Sequence, residues 1–481
     1  MGPLLEFDLA LPPRGSRTRL RALHAGLRRA ILDGRLHPDL RLPSTRALAR
    51  ACAVSRTTAV LTYERLLSEG YVVARAGSGT FVATGLPRRA RAVARAARAA
   101  GDRRLSGFWR FATEPRLPLA PLRFDFRLGS PDVGSFPCAL WRRLLSRAVP
   151  GLSRVAPDLE DSAGRSALRE GIARHVSFAR AVACEAEDVI VTAGAQQAFD
   201  LLARVLVARP RLMVAVEDPG YAPLRTAFAA AGARLVAVPV DAEGLRVERV
   251  PAAARIICVT PSHQFPLGVP MSIERRTALL ARAEAQGAVI VEDDYDGEFR
   301  FGGRPLDALQ TLDRSQLVCY VGTFSKSLSP ALRSGYIVAP PWARRALIAA
   351  KSCADGHADA LVQEALAAFI AEGHLARHLR RMHRLYQRRR QLLLDTLSAK
   401  FSGWLQPMSS VAGLHLAAWL NPAIDAEALV ARARQREVGV RSLRSFFLGR
   451  ASRPGLVFGY GTIGEGEIEE GLARLRTLLP A

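Results

Sequence analysis

Among the 481 residues there are 65 arginines but only three lysines, Lys326, Lys351 and Lys400. An amine that must form an imine with an aldehyde therefore has three positions to occupy. Lys326 lies in YVGTFSKSLSPALRSGY, where an apolar run ends in the hydroxyls of Thr323 and Ser325 and Arg333 follows seven residues after the lysine. Hydroxyls beside a guanidinium suit a phosphate, and the lysine suits the aldehyde. A second junction, VIVEDDYDGEF, ends a strongly apolar run with Asp293, Asp294 and Tyr295. A carboxylate in that setting needs a cation partner, or burial protonates it. A metal ion is the competing reading there, but no His or Glu cluster of suitable spacing accompanies the pair. A third junction, VTAGAQQAFDLLARVLV, turns through glycine into a helix, so the amides around Gly194, Ala195 and Gln196 would face an anion at the helix N-terminus. Alone that turn says little, since many such turns carry glycine for steric reasons. Together, an anion cradle, a buried carboxylate and one lysine describe a site for pyridoxal 5'-phosphate (PLP). Lys326 would hold the aldehyde, Asp293 would pair with the protonated ring nitrogen, and Arg333 would neutralise the phosphate.

These groups need a scaffold that brings distant segments to one edge. The segments VIVTAG, MVAVEDPG, LVAVPV, IICVT, AVIVEDD and LVCYVGTF read as strands, separated by helical stretches such as IERRTALLARAEAQG. That alternation predicts an α/β fold with a mostly parallel sheet, whose strand-to-loop junctions present ligand-binding side chains at the carboxyl edge. The large part is expected over about 150–350. A smaller C-terminal α+β part over about 370–481 is read from LHLAAWL, a helix near Asp425 to Gln435, and LVFGYG. No internal repeat is found.

The N-terminal texture is different. Helices are expected near Arg19 to Asp33, Thr45 to Cys52 and Arg56 to Glu69, with Ser44 and Ser55 as N-caps of the second and third. In the third helix, Val60, Leu61, Leu66 and Leu67 recur at helical spacing as its apolar face. After Gly70, YVVARAGSGTFVA alternates and turns at Gly77-Ser78-Gly79, which predicts a hairpin. Three helices followed by a hairpin is the winged helix-turn-helix order, placed at 15–84. Such a unit suits duplex DNA, with the third helix in the major groove and the wing tip on the backbone or in the minor groove. Arg46, Arg56, Thr57 and Thr58 are the contact candidates. A small protein-binding domain with solvating arginines is the alternative. Between 85 and 122 periodicity fails in an Arg/Ala-rich run, read as a linker, with a phosphate-tracking arm as the competing reading.

Charge agrees with this division. The chain carries a net +24; residues 1–122 hold 22 Arg against 8 Asp or Glu, a net +14, and the remaining 359 hold 46 basic and 36 acidic residues, a net +10. Arg-rich, Ala-rich composition also follows from GC-rich coding, but the asymmetry marks the N-terminal part as the phosphate-facing one. Hydrophobic residues at 49% and charged ones at 23% exclude a chain that is disordered throughout. No uninterrupted apolar stretch reaches the length of a membrane span, and MGPLLEFDLALPPR lacks a basic region followed by a long apolar one, so neither a span nor a secretory signal is expected. The six scattered cysteines, without a C-x-x-C pair, are expected to be buried free thiols in a reducing cytoplasm.

The head segment RLPSTRALARACAVSRTTAVLTYERLLSEGYVVARAGSGTFVA resembles the DNA-binding domain of the GntR family of bacterial transcriptional regulators. By that resemblance Arg46, Ser55, Arg56, Thr57 and Thr58 lie among the DNA contacts, and Gly77 and Gly79 form the wing tip. In the body, VTAGAQQAFDLL, VEDPGY, VTPSHQFPLGVPMS, VEDDYDGEFR and GTFSKSLSPALRSGY follow the order of fold-type I aminotransferases. The whole is similar to the MocR subfamily, in which a GntR head is fused to an aminotransferase-like body. The resemblance implies that Lys326 is the imine lysine and Asp293 the partner of the pyridine nitrogen. It makes Tyr295 a neighbour of the ring hydroxyl, Tyr221 a ring-stacking residue and Arg444 the holder of an amino-acid carboxylate. His263 and Gln264 are polar neighbours of the cofactor or, equally, loop-stabilising residues. Some members carry an Arg two residues after the tyrosine of Pro-Gly-Tyr, whereas Pro223 stands here, which argues against a GABA-like effector. The expected protein is a head-to-tail homodimeric regulator in the bacterial cytoplasm, nucleoid-associated through operator DNA. It would respond to PLP, an amino compound, or both. A working aminotransferase with an accessory DNA-binding head is the second reading, since Lys326 could also move the proton in a transamination. A degenerate dimerisation platform is a third.

Overall fold

The computed structural model describes residues 11–13, 16, 18–84, 107–111, 122–154, 162–302, 306–410, 412–449, 451 and 453–480. The chain divides into two compact units, 1–111 and 112–481. The expected linker, 85–122, lies almost wholly outside the described residues.

In the first unit, helices α1 (Arg19–Leu32), α2 (Thr45–Ala51) and α3 (Arg56–Ser68) precede a hairpin of β1 (Val72–Arg75) and β2 (Gly79–Val82). Ser44 accepts from the Ala47 amide and Ser55 from the Thr58 amide, so both expected caps are made. The turn passes through Gly77 at φ +69° and Gly79 at φ +113°, conformations that favour glycine. The core joins Leu23, Leu27, Leu48, Ala59, Tyr63, Leu66, Val72 and Val82. The buried face of α3 is corrected. Ala59, Thr62, Tyr63 and Leu66 are buried, while Leu61 is 42% and Leu67 38% exposed. Two hydroxyl residues go inside because each finds a carbonyl: Tyr63 donates to Pro43 O and Thr62 to Thr58 O.

The second unit begins with β3 (Phe124–Asp125), α4 (Cys138–Ala148) and α5 (Ser166–Arg180). Next come β4 (Val189–Thr192), α6 (Ala195–Leu206), β5 (Met213–Asp218), α7 (Ala222–Ala230), β6 (Arg234–Asp241), β7 (Gly244–Leu245), β8 (Ile256–Val259), α8 (Ile273–Gln286) and β9 (Val289–Asp294). The sheet is completed by β10 (Val318–Thr323) and β11 (Gly335–Val338), in the order β4-β11-β10-β9-β8-β5-β6-β7. Its central pairs are parallel; β11 and β7 run the opposite way. Both faces are covered, which is why the strands read as continuous apolar runs. One face packs on α6, α7 and α9 (Pro341–Asp355), through Phe199, Leu202, Phe228 and Leu347. The other packs on α8 and, with Trp141, Ile172 and Phe369, on α4, α5 and α10 (Ala360–Ala371).

The smaller part contains the 27-residue α11 (His374–Lys400), β12 (Leu405–Pro407), β13 (His415–Leu420), α12 (Ala426–Gln435), β14 (Val438–Gly439), β15 (Arg441–Ser442), β16 (Gly455–Gly459) and α13 (Glu465–Arg476). Its antiparallel sheet runs β12-β13-β16-β15. The reading of this part as C-terminal is incomplete, because β3 pairs with β14 and Phe124 and Phe126 are buried in the same core as Leu456 and Leu472. The cysteines are all free, but Cys138 and Cys353 are exposed, correcting the expectation of uniformly buried thiols. No helix of the described residues is long and apolar enough to cross a membrane.

Candidate functional site

Five strands of the sheet deliver side chains to one edge, and the strand parity decides which of them face it. Asp293 and Asp294 are adjacent on β9, so they point to opposite faces. Asp294 is committed: its Oδ2 accepts from Arg180 Nε at 2.6 Å and from the Tyr320 hydroxyl at 2.7 Å. Asp293 is buried at 4% exposure beside Lys326. Burial, reinforced by the charges of Asp294 and Asp296, pushes its carboxyl well above the ordinary range, against the pull of Lys326. Lys326, half-buried after β10, donates from Nζ to the carbonyl of Gly129. Burial lowers its ammonium below the usual lysine value, opposed by Asp296 and Asp293, and a lowered value makes a better nucleophile.

The turn from β4 into α6 holds the residues expected to face an anion. Gly194 takes φ +79°, and a Cβ there would come within 3.4 Å of the Arg333 guanidinium. Arg333 donates from Nη2 to Ala193 O at 2.8 Å, and Thr323 donates to the Ser325 hydroxyl at 3.0 Å and accepts the Ser325 amide at 3.1 Å. The first amides of α6, at Ala195 and Gln196, have no earlier turn to bond to, so they remain for an anion. Thus Gly194, Ala195, Gln196, Thr323, Ser325 and Arg333 are brought together.

The ring side is aromatic. Tyr221, at the start of α7, meets Phe265 edge to face with centroids 5.4 Å apart. Its phenol is raised to about 12 by burial and by Asp293, against Arg333. The Tyr295 hydroxyl lies 2.9 Å from His263 Nδ1 and donates to His263 O at 3.0 Å. Gln264 bonds Pro219 O, Phe265 O, the Leu267 amide and Glu217, so it pins the loop. His263 contacts Asp296, Tyr295 and Ser410. Arg444 stands apart: it is exposed, donating to Gly449 O at 2.8 Å, although its loop touches the site's rim where the Gly220 amide donates to Phe446 O and the Leu448 amide to Asp218.

Gly129 was missed by sequence reasoning. At φ +67°, a Cβ on it would lie 2.7 Å from Lys326 Nζ. It precedes the sheet by a long stretch of chain, so no local spacing links it to the lysine. Also missed was the trio His263, Asp296 and His415, all buried with potential ligand atoms within 4.8 Å of one another. The absence of a His cluster near the acidic junction therefore holds along the chain but not in space. These groups already have partners: His263 bonds Asp296 and Ser410, and His415 reaches Pro266 O at 3.1 Å. The trio is accordingly read as a hydrogen-bonded network.

In the first unit, Arg46, Arg56, Thr57, Gly77 and Gly79 are exposed. Ser55 and Thr58 share a 2.8 Å hydroxyl bond, so both are occupied in starting α3.

Residues 21–82 match the bacterial regulatory proteins of the gntR family, and residues 156–455 match the class I and II aminotransferases. The chain is 39% identical over 458 residues to the probable rhizopine catabolism regulatory protein MocR of Rhizobium meliloti, covering 95% of this chain and 93% of that one. It is 33% identical to the pyridoxine biosynthesis transcriptional regulator PdxR of Corynebacterium glutamicum, over 98% of each chain. This chain belongs to the MocR-type regulators of the GntR family. The body of this MocR-type chain overlays a kynurenine aminotransferase of Pyrococcus horikoshii with a TM-score of 0.70 at 26% identity, over 79% of this chain and 100% of that one. It is therefore a DNA-binding transcriptional regulator with a fold-type I aminotransferase body, a PLP-dependent family. The residues present fit that cofactor. A buried carboxyl with a raised pKa is what a pyridinium cation would ionise, and Gly194 leaves open the space a side chain would take beside Arg333.

Proposed function

We propose that this regulator binds PLP at the carboxyl edge of its sheet and that cofactor, or an amino compound reacting with it, alters operator binding by the head. The observation that carries the reading is the pairing of a lowered lysine, Lys326, with a buried acid, Asp293, at one site. When bound, PLP supplies an aldehyde that exchanges between amines and a ring that draws electrons. Lys326 is the amine that holds it, and Gly129 O orients that amine. Asp293 keeps a proton on the ring nitrogen. The α6 amides, Thr323, Ser325 and Arg333 would bind the phosphate, and Tyr221, Tyr295 and His263 would be the ring's neighbours. Arg444 would receive the carboxylate of an amino compound; Pro223 supplies no second guanidinium. In the head, Arg46, Arg56 and Thr57 contact DNA, and Gly77 and Gly79 let the wing approach the backbone. A homodimer, arranged head to tail, would present two heads to paired half-sites. Linkage then requires only that ligand bind two conformations of the body unequally. The protein acts in the cytoplasm, where its operator lies.

The test is spectroscopic. The full chain titrated with PLP is expected to gain the visible absorbance that PLP acquires when its aldehyde condenses with a lysine. Lys326→Ala is expected to lose it, and Asp293→Asn to weaken PLP binding by about tenfold or more. An unaltered band in Lys326→Ala would show that another amine reacts and would overturn the assignment.

A further inference from the structure

Lys351 has a fully buried side chain, 0% exposed, between the sheet-facing helices, away from the aldehyde chemistry assigned above. Burying an ammonium is costly, and an apolar residue of similar volume would fill the space without that cost. Its bonds indicate what the charge is for. Nζ donates to Asp355 Oδ1 at 2.6 Å, one turn further along α9. Asp355 Oδ2 accepts from Gln197 Nε2 at 2.7 Å, and Gln197 Oε1 accepts the Ala193 amide, also at 2.7 Å. Ala193 O accepts from Arg333 Nη2 at 2.8 Å, and that guanidinium lies against Gly194. Ammonium, carboxylate, amide, peptide and guanidinium thus form one unbroken chain ending at the anion turn.

Each link has a consequence for an anion on α6. The Ala193 peptide is held from both sides, so its carbonyl keeps Arg333 beside Gly194. Asp355 grips Gln197 but is itself exposed, so the negative charge it brings behind the turn acts on an incoming dianion through screening water. Lys351 cancels that charge at its source. Burial works to raise Asp355, but the bonds from Gln197 and Lys351 prevail and keep it below the ordinary carboxylate range, ionised as this arrangement needs.

We propose that Lys351, acting through Asp355 and Gln197, is a positioning residue of the phosphate cradle that sets affinity for the phosphate end of the cofactor and not for its aldehyde end. The inference rests on the PLP reading above. The experiment is a visible-absorbance titration of the full chain with PLP and with pyridoxal, which has the aldehyde but no phosphate. Lys351→Met is expected to weaken PLP by about tenfold while pyridoxal changes by less than about twofold. Adding Asp355→Asn to that variant removes the bare charge and is expected to recover most of the PLP affinity. Gln197→Ala, which leaves the Lys351–Asp355 ion pair intact, is expected to weaken PLP selectively as well, and it carries the test if Lys351→Met fails to fold. Equal losses for PLP and pyridoxal, or no loss for either, would overturn the inference. A wild-type chain that gains no band with PLP would sink the cofactor reading and this inference with it, whereas a normal wild-type band with unaffected variants would sink this inference alone.

Discussion

Glu217 illustrates how much at this site turns on single titratable groups. It is buried behind the Tyr221 turn, with Oε2 accepting from Thr260 at 2.5 Å and Oε1 without a partner. Burial, opposed by the bonds from Thr260 and Gln264, raises its carboxyl from 4.5 to about 7. The folded chain then holds this proton more tightly than the unfolded one. Its contribution to stability is complete below the ordinary carboxylate pKa and is lost as pH rises through about 7. Replacing it with glutamine removes that loss, worth about 3 kcal/mol at full deprotonation. The apo Glu217→Gln chain is accordingly expected to gain melting temperature over wild type between about pH 5 and about pH 8; an offset independent of pH would contradict this. Gly129 gives a second residue-scale prediction. Gly129→Ala adds both strain at φ +67° and a clash with Lys326 Nζ, so it is expected to weaken the visible PLP band by more than about tenfold while operator binding by apo protein is retained. Loss of DNA binding together with the band would mean that the substitution unfolds the chain instead. That Lys326, Asp293 and Arg333 meet at one edge was legible from the apolar runs they follow, whereas Tyr221 was named only through the family resemblance. Gly129, His415 and the Lys351 chain were not legible, because they enter the site through tertiary packing, which spacing along the chain does not encode.

Elements were more legible than their faces. The caps at Ser44 and Ser55, the wing at Gly77 and the six parallel strands were readable because side-chain type alone determines a cap, a positive φ or a doubly covered strand. The buried stripe of α3 was not, since an apolar count favours Leu61 and Leu67 over Thr62 and Tyr63, whose hydroxyls are satisfied inside. The pairing of β3 with β14 was equally hidden, because two-residue strands carry no periodicity. Within α3, structure and contact separate by residue. Ser55→Ala removes a cap and is expected to cost the head about 1 kcal/mol of stability. Arg56→Ala is expected to leave stability unchanged, weaken DNA binding, and reduce the slope of log affinity against log salt by about one. Melting and anisotropy across a salt series separate the two, and an unchanged slope for Arg56→Ala would remove it from the phosphate contacts.

At the scale of the whole molecule, the two units carry different chemistries. A basic head with exposed Arg46 and Arg56 is fused to a body whose sheet edge gathers Lys326, the buried Asp293 and the Arg333 turn. On the proposed reading the second alters the first, through the differential affinity of ligand for two body conformations. The most direct measurement is fluorescence anisotropy of DNA from immediately upstream of this gene, at one stated salt concentration, with apo and PLP-loaded protein. Affinity or stoichiometry is predicted to change with PLP, or with an amino compound added to the loaded protein, and to become indifferent to both in Lys326→Ala. Specific binding that is the same with and without PLP and amines, in wild type and variant alike, would contradict cofactor sensing.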